Sequence, residues 1–219
     1  MSRKLQLPDA PEAEVDGRMS APSALRNREV IAQALQRLAP QEGRALEIAS
    51  GTGEHVIHLA ETMPKMIWHP TDLDEARLRS IAAWVSRIGL PNIHPPKHLD
   101  AAAAGWAARE EPFDLILTVN LLHLVSDSEA ATILTETAQA LAPQGVAIIY
   151  GPFLRDGIAT SEGDAPFDAS LRAQDPLIGY KDVARVSAQL QAAGLTLVER
   201  LEMPANNLML AFTNPSAPA

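Results

Sequence analysis

The chain has 219 residues, 47% of them hydrophobic, with 27 acidic against 18 basic side chains and a net charge of -9. That length suits one large domain with a substantial core, and no apolar run approaches the roughly 20 residues that span a bilayer. The acidic balance and the lack of a Lys/Arg run argue against a nucleic-acid partner, and the absence of Cys excludes disulfides and thiolate catalysis.

In chain order, residues 1–20 read as a flexible polar arm with no apolar stretch of the secretory kind, so a cytoplasmic location is the expectation. Ser23 is the expected N-cap of a helix carrying Leu25, Val30, Ile31, Ala34, Leu35 and Leu38, ended by Pro40 and Gly43. A strand over Arg44–Ser50 runs into Gly51-Thr52-Gly53, and helical spacing resumes at Val56, Ile57 and Ala60 as far as about Met63. A second strand, Met66–Thr71, leads into Asp72, and the next helix carries Leu78, Ile81, Ala82 and Val85 and stops at Gly89. Residues 92–99 suggest a weak third strand, and Pro95-Pro96 puts it at an edge. Phe113–Asn120 is the clearest strand, apolar enough for burial on both faces. A helix over about Ser128–Leu141 and a strand over Val146–Gly151 follow.

Residues 152–178 are rich in Gly, Pro and Asp, with one apolar patch at Phe167–Leu171; this reads as a long irregular, functional segment. A last helix, Lys181–Ala193, precedes two strands, Leu195–Leu201 and Leu208–Thr213. The alternation predicts an α/β fold: a Rossmann-like three-layer sandwich with a seven-stranded, mostly parallel sheet and an antiparallel last strand. Residues 21–214 are expected to form one domain, and 215–219 a frayed tail.

The stretch Ala45–His55 is where ligand chemistry is first visible. A strand, a tight Gly turn and a helix make half of a βαβ unit, the usual corner for nucleotide-type ligands. A dinucleotide fingerprint would need a small residue where Val56 stands, and a triphosphate-binding loop would need a Gly-Lys-Ser/Thr ending. The remaining readings are an acidic residue followed by a Gly-rich turn that holds a nucleoside cofactor, or an ordinary structural corner. Glu47 is the odd residue, because a carboxylate in an apolar strand is costly unless paired.

In an open α/β sheet the ligand lies beyond the carboxyl ends of the strands. Those ends supply Ser50-Gly51-Thr52-Gly53, Asp72, Asp100, Asn120 and Tyr150. Asp72 follows Gly53 at about the 20-residue spacing suited to a ribose hydroxyl pair, with Asp74 as its competitor. Taken in order, these ends resemble the class I S-adenosylmethionine (SAM) methyltransferases. Glu47–Gly53 resembles the family's first motif, with Ala49 where a first Gly is common.

The resemblance implies that Ala49, Ser50, Gly51 and Gly53 pass beside the methionine and ribose, and that Asp72 holds the ribose with Leu73 on the adenine. It places Asp100 and Ala101 at the adenine, and Asn120 and Leu121 near the sulfonium. Arg26 and Asn27 would clamp the methionine carboxylate, with surface solvation of that helix as the equal alternative, and Glu47 would hold the Gly turn. The segments Arg26-Asn27-Arg28, Leu46–His55, Tyr150–Phe153, Phe167–Arg172 and Met203-Pro-Ala-Asn-Asn207 are similar to the methyltransferase-like 26 family, over about residues 20–213.

For the acceptor, His123 is a candidate base that titrates near neutral pH, or a helix-entry histidine bonded to backbone. Tyr150 could orient the acceptor or be a buried, satisfied hydroxyl. Phe153, Asp168, Arg172, Asn206 and Asn207 are the expected substrate-binding residues. An exposed ion pair for Asp168 and Arg172, and a plain turn for the asparagines, are the alternatives. No metal site is expected, since no His-Glu-x-x-His pattern occurs. The leading function is methyl transfer from SAM to a small-molecule acceptor, giving S-adenosylhomocysteine, with homodimerisation left open. A non-catalytic SAM-fold partner subunit is the alternative, and a nicotinamide oxidoreductase is disfavoured by Val56.

Overall fold

The computed structural model describes residues 5–8 and 11–215. Among them the elements run β1 (Glu12–Ala13), β2 (Met19–Ser20), α1 (Pro22–Leu38), β3 (Gly43–Ile48), α2 (Glu54–Thr62), β4 (Met66–Asp72), α3 (Glu75–Ile88) and β5 (Lys97–His98). There follow β6 (Phe113–Val119), α4 (Asp127–Ala140), β7 (Leu141–Gly151), β8 (Phe153–Leu154), α5 (Asp164–Gln174), β9 (Lys181–Asp182), α6 (Val183–Ala192), β10 (Thr196–Glu202) and β11 (Leu208–Thr213). A seven-stranded sheet has the order β10-β11-β7-β6-β3-β4-β5. Pairing is parallel for β3 with β4 and for β4 with β5, whereas β11 is antiparallel to both β7 and β10. The fold is the expected Rossmann-like α/β one, with the last strand inserted between β7 and β10.

The chain falls into two units: residues up to Asp100 with Phe113–Leu115, and Ala101–Pro112 with the chain from Ile116 onward. In the first unit, Ile48, Leu59, Trp68 and Ile81 are fully buried core residues. Asp74 caps α3 by accepting from the Ala76 and Arg77 amides, and Gly89 ends it in a left-handed conformation. In the second unit Ile148, Leu190 and Phe212 lie in the core, and Ser126 with Glu129 forms a capping box on α4.

Three expectations are corrected. Helix α1 starts at Pro22 with Ala21 as N-cap, not at Ser23. Proline's fixed φ suits the first helical position, and the Ala21 amide is satisfied by Glu54 Oε1 at 2.7 Å. The third strand shrinks to Lys97–His98, since Pro95 and Pro96 have no amide hydrogen for a ladder. The segment 152–178 is not irregular throughout: Asp164–Gln174 is a helix. Its Pro166 falls in the first turn, where no intrahelical amide is needed. The described part of the arm forms the antiparallel β1–β2 pair; residues 1–4 and 9–10, and 216–219 of the expected tail, lie outside the described residues.

Candidate functional site

In the first unit β3 delivers the chain into a turn whose backbone is committed to left-handed conformations. Ala49 has φ 55° and Gly51 φ 61°. A Cβ restricts the first, whereas glycine accepts the second freely, which explains why the resembling motif often has Gly at position 49. A side chain added at Gly51 would meet no protein atom within 4 Å, so this edge of the turn is open. Gly53 differs: a Cβ there would sit 3.2 Å from the Ile81 backbone and 3.3 Å from Trp84, so this glycine packs on α3.

Hydrogen bonds lock the turn to β4. The Ser50 amide donates to the Thr71 carbonyl at 2.7 Å, and the Thr71 hydroxyl donates to the Glu47 carbonyl at 2.8 Å. Asp72 is buried. Its Oδ2 accepts from the Gly51 amide and its Oδ1 from the Asp74 amide, both at 2.9 Å. Burial raises the Asp72 pKa, opposed by those amides and by the Arg77 guanidinium, 3.9 Å away. Asp74, the rival for the ribose role, has its carboxylate engaged in capping α3.

Glu47 is 1% exposed, and its Oε2 has no hydrogen-bond partner. Burial pushes this carboxyl up to about 8, so it holds its proton at neutral pH. Asn27 is buried on α1 with Oδ1 2.7 Å from His55 Nε2; burial holds His55 neutral, with a pKa lowered to about 4. Arg26, its neighbour in sequence, is exposed. Leu73 and Asp100 are half-buried.

The second unit carries the remaining candidates. Ala101 and Leu121 are half-buried, and the Ala101 carbonyl accepts from Trp106 Nε1 at 3.2 Å. Asn120 follows β6 at φ 53°, and its amide donates to the Tyr150 carbonyl at 2.8 Å. Tyr150 is buried and its hydroxyl accepts from Asn207 Nδ2 at 3.1 Å, so the end of β7 and the Met203–Asn207 loop are joined. Both Ala205 (φ 56°) and Asn206 (φ 58°) are left-handed. Asn206 Nδ2 donates to Asp164 Oδ2 and to the Thr160 hydroxyl at 2.9 Å.

His123 is buried, and its ring makes edge contacts with Phe167 and Tyr180 at centroid distances of 5.8 and 6.0 Å. Burial, helped by the Lys181 charge, lowers its pKa to about 3, so it is a neutral and weak base in this state. Asp168 and Arg172 form the ion pair their spacing allows, at 2.9 Å. Asp168 Oδ1 also accepts from the Tyr180 amide at 2.6 Å, and Arg172 Nη2 donates to the Tyr180 carbonyl at 3.3 Å. The pair therefore clips α5 to the 179–181 strand entry. Phe153 is buried on β8, opposite Lys181.

The sequence reading missed Asp164, Tyr180 and Lys181. Asp164 accepts from the Tyr180 hydroxyl at 3.2 Å as well as from Asn206. Lys181 Nζ is buried and donates to the carbonyls of Val125 (2.7 Å) and Gly179 (2.8 Å). No spacing rule links positions 164, 180 and 206; the one available signal was an acidic residue before Pro166 in a segment already suspected of function.

A model of the family described as "Protein of unknown function (DUF938)" matches residues 18–214. The chain belongs to the DUF938 family. Solved structures similar to this DUF938 protein include methyltransferases. An O-methyltransferase family protein from Burkholderia thailandensis superposes with a TM-score of 0.76 at 14% identity, over 90% of this chain and 57% of that one. A putative O-methyltransferase from Nostoc punctiforme gives 0.75 at 20% identity, over 88% and 57%. Human N-acetylserotonin methyltransferase, solved with SAM, gives 0.71 at 12%, over 89% and 53%. At these identities the likeness establishes the fold, and the DUF938 protein spans a little over half the length of each. Among its described residues no helix is long and apolar enough to cross a membrane, and no group of three or more His, Asp or Glu could hold a metal ion.

Proposed function

We propose that this DUF938 protein is a SAM-dependent methyltransferase that methylates a small-molecule acceptor and releases S-adenosylhomocysteine. The observation that carries the reading is the β3–α2 turn, in which left-handed Ala49 and Gly51 leave an edge open beside the buried Asp72 carboxylate. An uncharged ribose suits that carboxylate, whereas a phosphate at the same place would be repelled. The turn lacks the lysine of a triphosphate loop, and Gly53 already serves close packing on α3.

SAM supplies, when bound, a methyl group already activated on a sulfonium. The chain's own residues bind and orient. Gly51 gives backbone access, with Ala49 and Ser50 shaping the turn. Asp72 holds the ribose hydroxyls, Leu73 packs on the adenine, and Asp100 with Ala101 receives the adenine edge. Asn120, Leu121, Arg26 and Asn27 serve the methionine end, and Glu47 braces the turn through its carbonyl, which accepts from the Ser50 and Thr71 hydroxyls. For the acceptor, Tyr150 with Asn207 forms an orienting pair, and His123, Phe153, Asp168, Arg172 and Asn206 are the further acceptor-binding residues. His123 accepts a proton only if acceptor binding relieves its depressed basicity, so acceptors that ionise readily suit the site best.

The finer family reading, methyltransferase-like 26, is supported by the Met203-Pro-Ala-Asn-Asn207 segment, whose two left-handed residues give the motif a conformational reason. We treat residues 21–214 as one functional domain with an N-terminal arm, in the cytoplasm. The test is incubation with methyl-labelled SAM and separate pools of phenols, amines and thiols. Label transferred to a small molecule by the wild type and lost in Asp72→Asn supports the reading. Label found only in protein or nucleic-acid fractions would contradict it.

A further inference from the structure

Thr52 sits at the centre of the Gly51–Gly53 turn and is buried. Its carbonyl accepts from Ser80 Oγ at 2.8 Å, and Ser80 Oγ accepts from the Met19 amide at 2.8 Å. Its hydroxyl donates to Glu54 Oε2, and Glu54 Oε1 accepts from the Ala21 amide at 2.7 Å. Two separate relays thus join one residue of the turn to Met19 in the arm and to Ala21, the N-cap where the arm enters α1.

Trp84 holds the same stretch from the other side. Its Nε1 donates to the Met19 carbonyl at 3.0 Å, and the Arg18 guanidinium lies 4.4 Å over its ring. Arg18 is paired with Glu14 and Asp16 across the β1–β2 connection. Ser80 is 0% exposed and Glu54 2% exposed. Polar groups so buried are costly when they lose partners, so undocking the arm removes the donors to Ser80 Oγ and to Glu54 Oε1 together, leaving Ser80 only its bond to Thr52.

We infer that the arm is a clamp on the ligand-binding turn: Met19 and Ala21, acting through Ser80 and Glu54, set the backbone of Thr52 and with it the turn's affinity for ligand. The clamp rests on the SAM-binding reading of that turn. Ser80 and Glu54 are positioning residues, since they reach the ligand only through Thr52. Coupling of this kind is reciprocal: a ligand that needs the ordered turn also tightens the arm.

The experiment is amide hydrogen exchange on the full chain with and without S-adenosylhomocysteine, together with its dissociation constant, for wild type, Ser80→Ala and Trp84→Phe. Trp84→Phe removes the indole bond that docks Met19 while leaving the Ser80 and Glu54 side chains themselves unchanged. In the wild type the ligand slows exchange of the Met19 amide. Each variant weakens ligand binding by about tenfold and abolishes that slowing. Freed arm amides with an unchanged dissociation constant overturn the clamp, as does a Met19 amide indifferent to ligand in the wild type. Should the wild type bind no S-adenosylhomocysteine, the SAM reading fails, and the ligand-free exchange decides the clamp: Trp84→Phe, which leaves Ser80 unchanged, speeds exchange at both Met19 and Gly53 if the two are coupled, and at Met19 alone if they are not.

Discussion

Glu47→Gln changes how stability depends on pH, and the size of the change follows from the buried strand. The Glu47 carboxyl has an ordinary pKa of 4.5 and a folded value of about 8, raised by burial. Below pH 4.5 both states hold the proton. Above it only the folded state does, so the stability present at low pH is lost as pH rises towards 8, by about 1.4 kcal/mol per unit. The two buried histidines act with the opposite sign. Their ordinary value is 6.5 and their folded values are about 4 for His55 and about 3 for His123. Their stability is present above pH 6.5 and is lost as pH falls, because the unfolded chain takes up protons that the folded chain refuses. Between pH 4.5 and 6.5 the two histidines outweigh the one carboxyl; above 6.5 the carboxyl is the one of these three that still titrates. Their combined contribution therefore peaks near pH 6.5, and Glu47 removes roughly 2 kcal/mol of it between pH 6.5 and 8. Urea unfolding at those two pH values reads this as a midpoint drop of about 1 M, at a slope of about 2 kcal/mol/M. In Glu47→Gln the drop vanishes, while the acid limb persists. An identical drop in wild type and variant would refute the assignment of the alkaline limb to Glu47.

Further outcomes separate binding from stability. Gly51→Ala meets no neighbour and carries only the left-handed backbone cost, about 1–2 kcal/mol, so it stays folded in a thermal melt yet binds S-adenosylhomocysteine poorly if its open edge is the ligand face. Gly179→Ala behaves otherwise. Its Cβ would lie 2.6 Å from both Asp168 Oδ1 and Arg172 Cζ at φ +132°, and breaking that clip costs about 3 kcal/mol. The melting temperature then falls by roughly 6–12 °C; Gly157→Ala, left-handed but unobstructed, is the control and loses only a few degrees. Asn207→Ala frees the Tyr150 hydroxyl from its 3.1 Å donor and raises the acceptor KM more than the cofactor KM in steady-state assays.

Much of the fold was legible because burial and periodicity spoke together. Phe113–Val119 is an apolar run and is buried on both faces, and Gly89 ends α3 where the helical spacing stops. Helix α5 was hidden by its own composition. Of its residues only Asp164 and Leu171 are buried, so it has almost no apolar face, and Pro166 reads as a breaker unless its place in the first turn is known. The same limit hid the acceptor-side network, since Asp164, Tyr180 and Asn206 meet only through tertiary folding. Individual residues such as Glu47, Asp72 and His123 were visible in the sequence, but only for Glu47, set in an apolar strand, was burial also legible. Burial decides which of them hold protons at neutral pH.

The most direct test of the account is calorimetric titration of the wild type and Asp72→Asn with S-adenosylhomocysteine. One site per chain on the wild type, weakened at least about tenfold in the variant, is the expected result, the loss of one charge-assisted hydrogen-bonding group being worth about 1.5–3 kcal/mol. No heat of binding to a folded wild type would contradict the assignment of this turn to SAM.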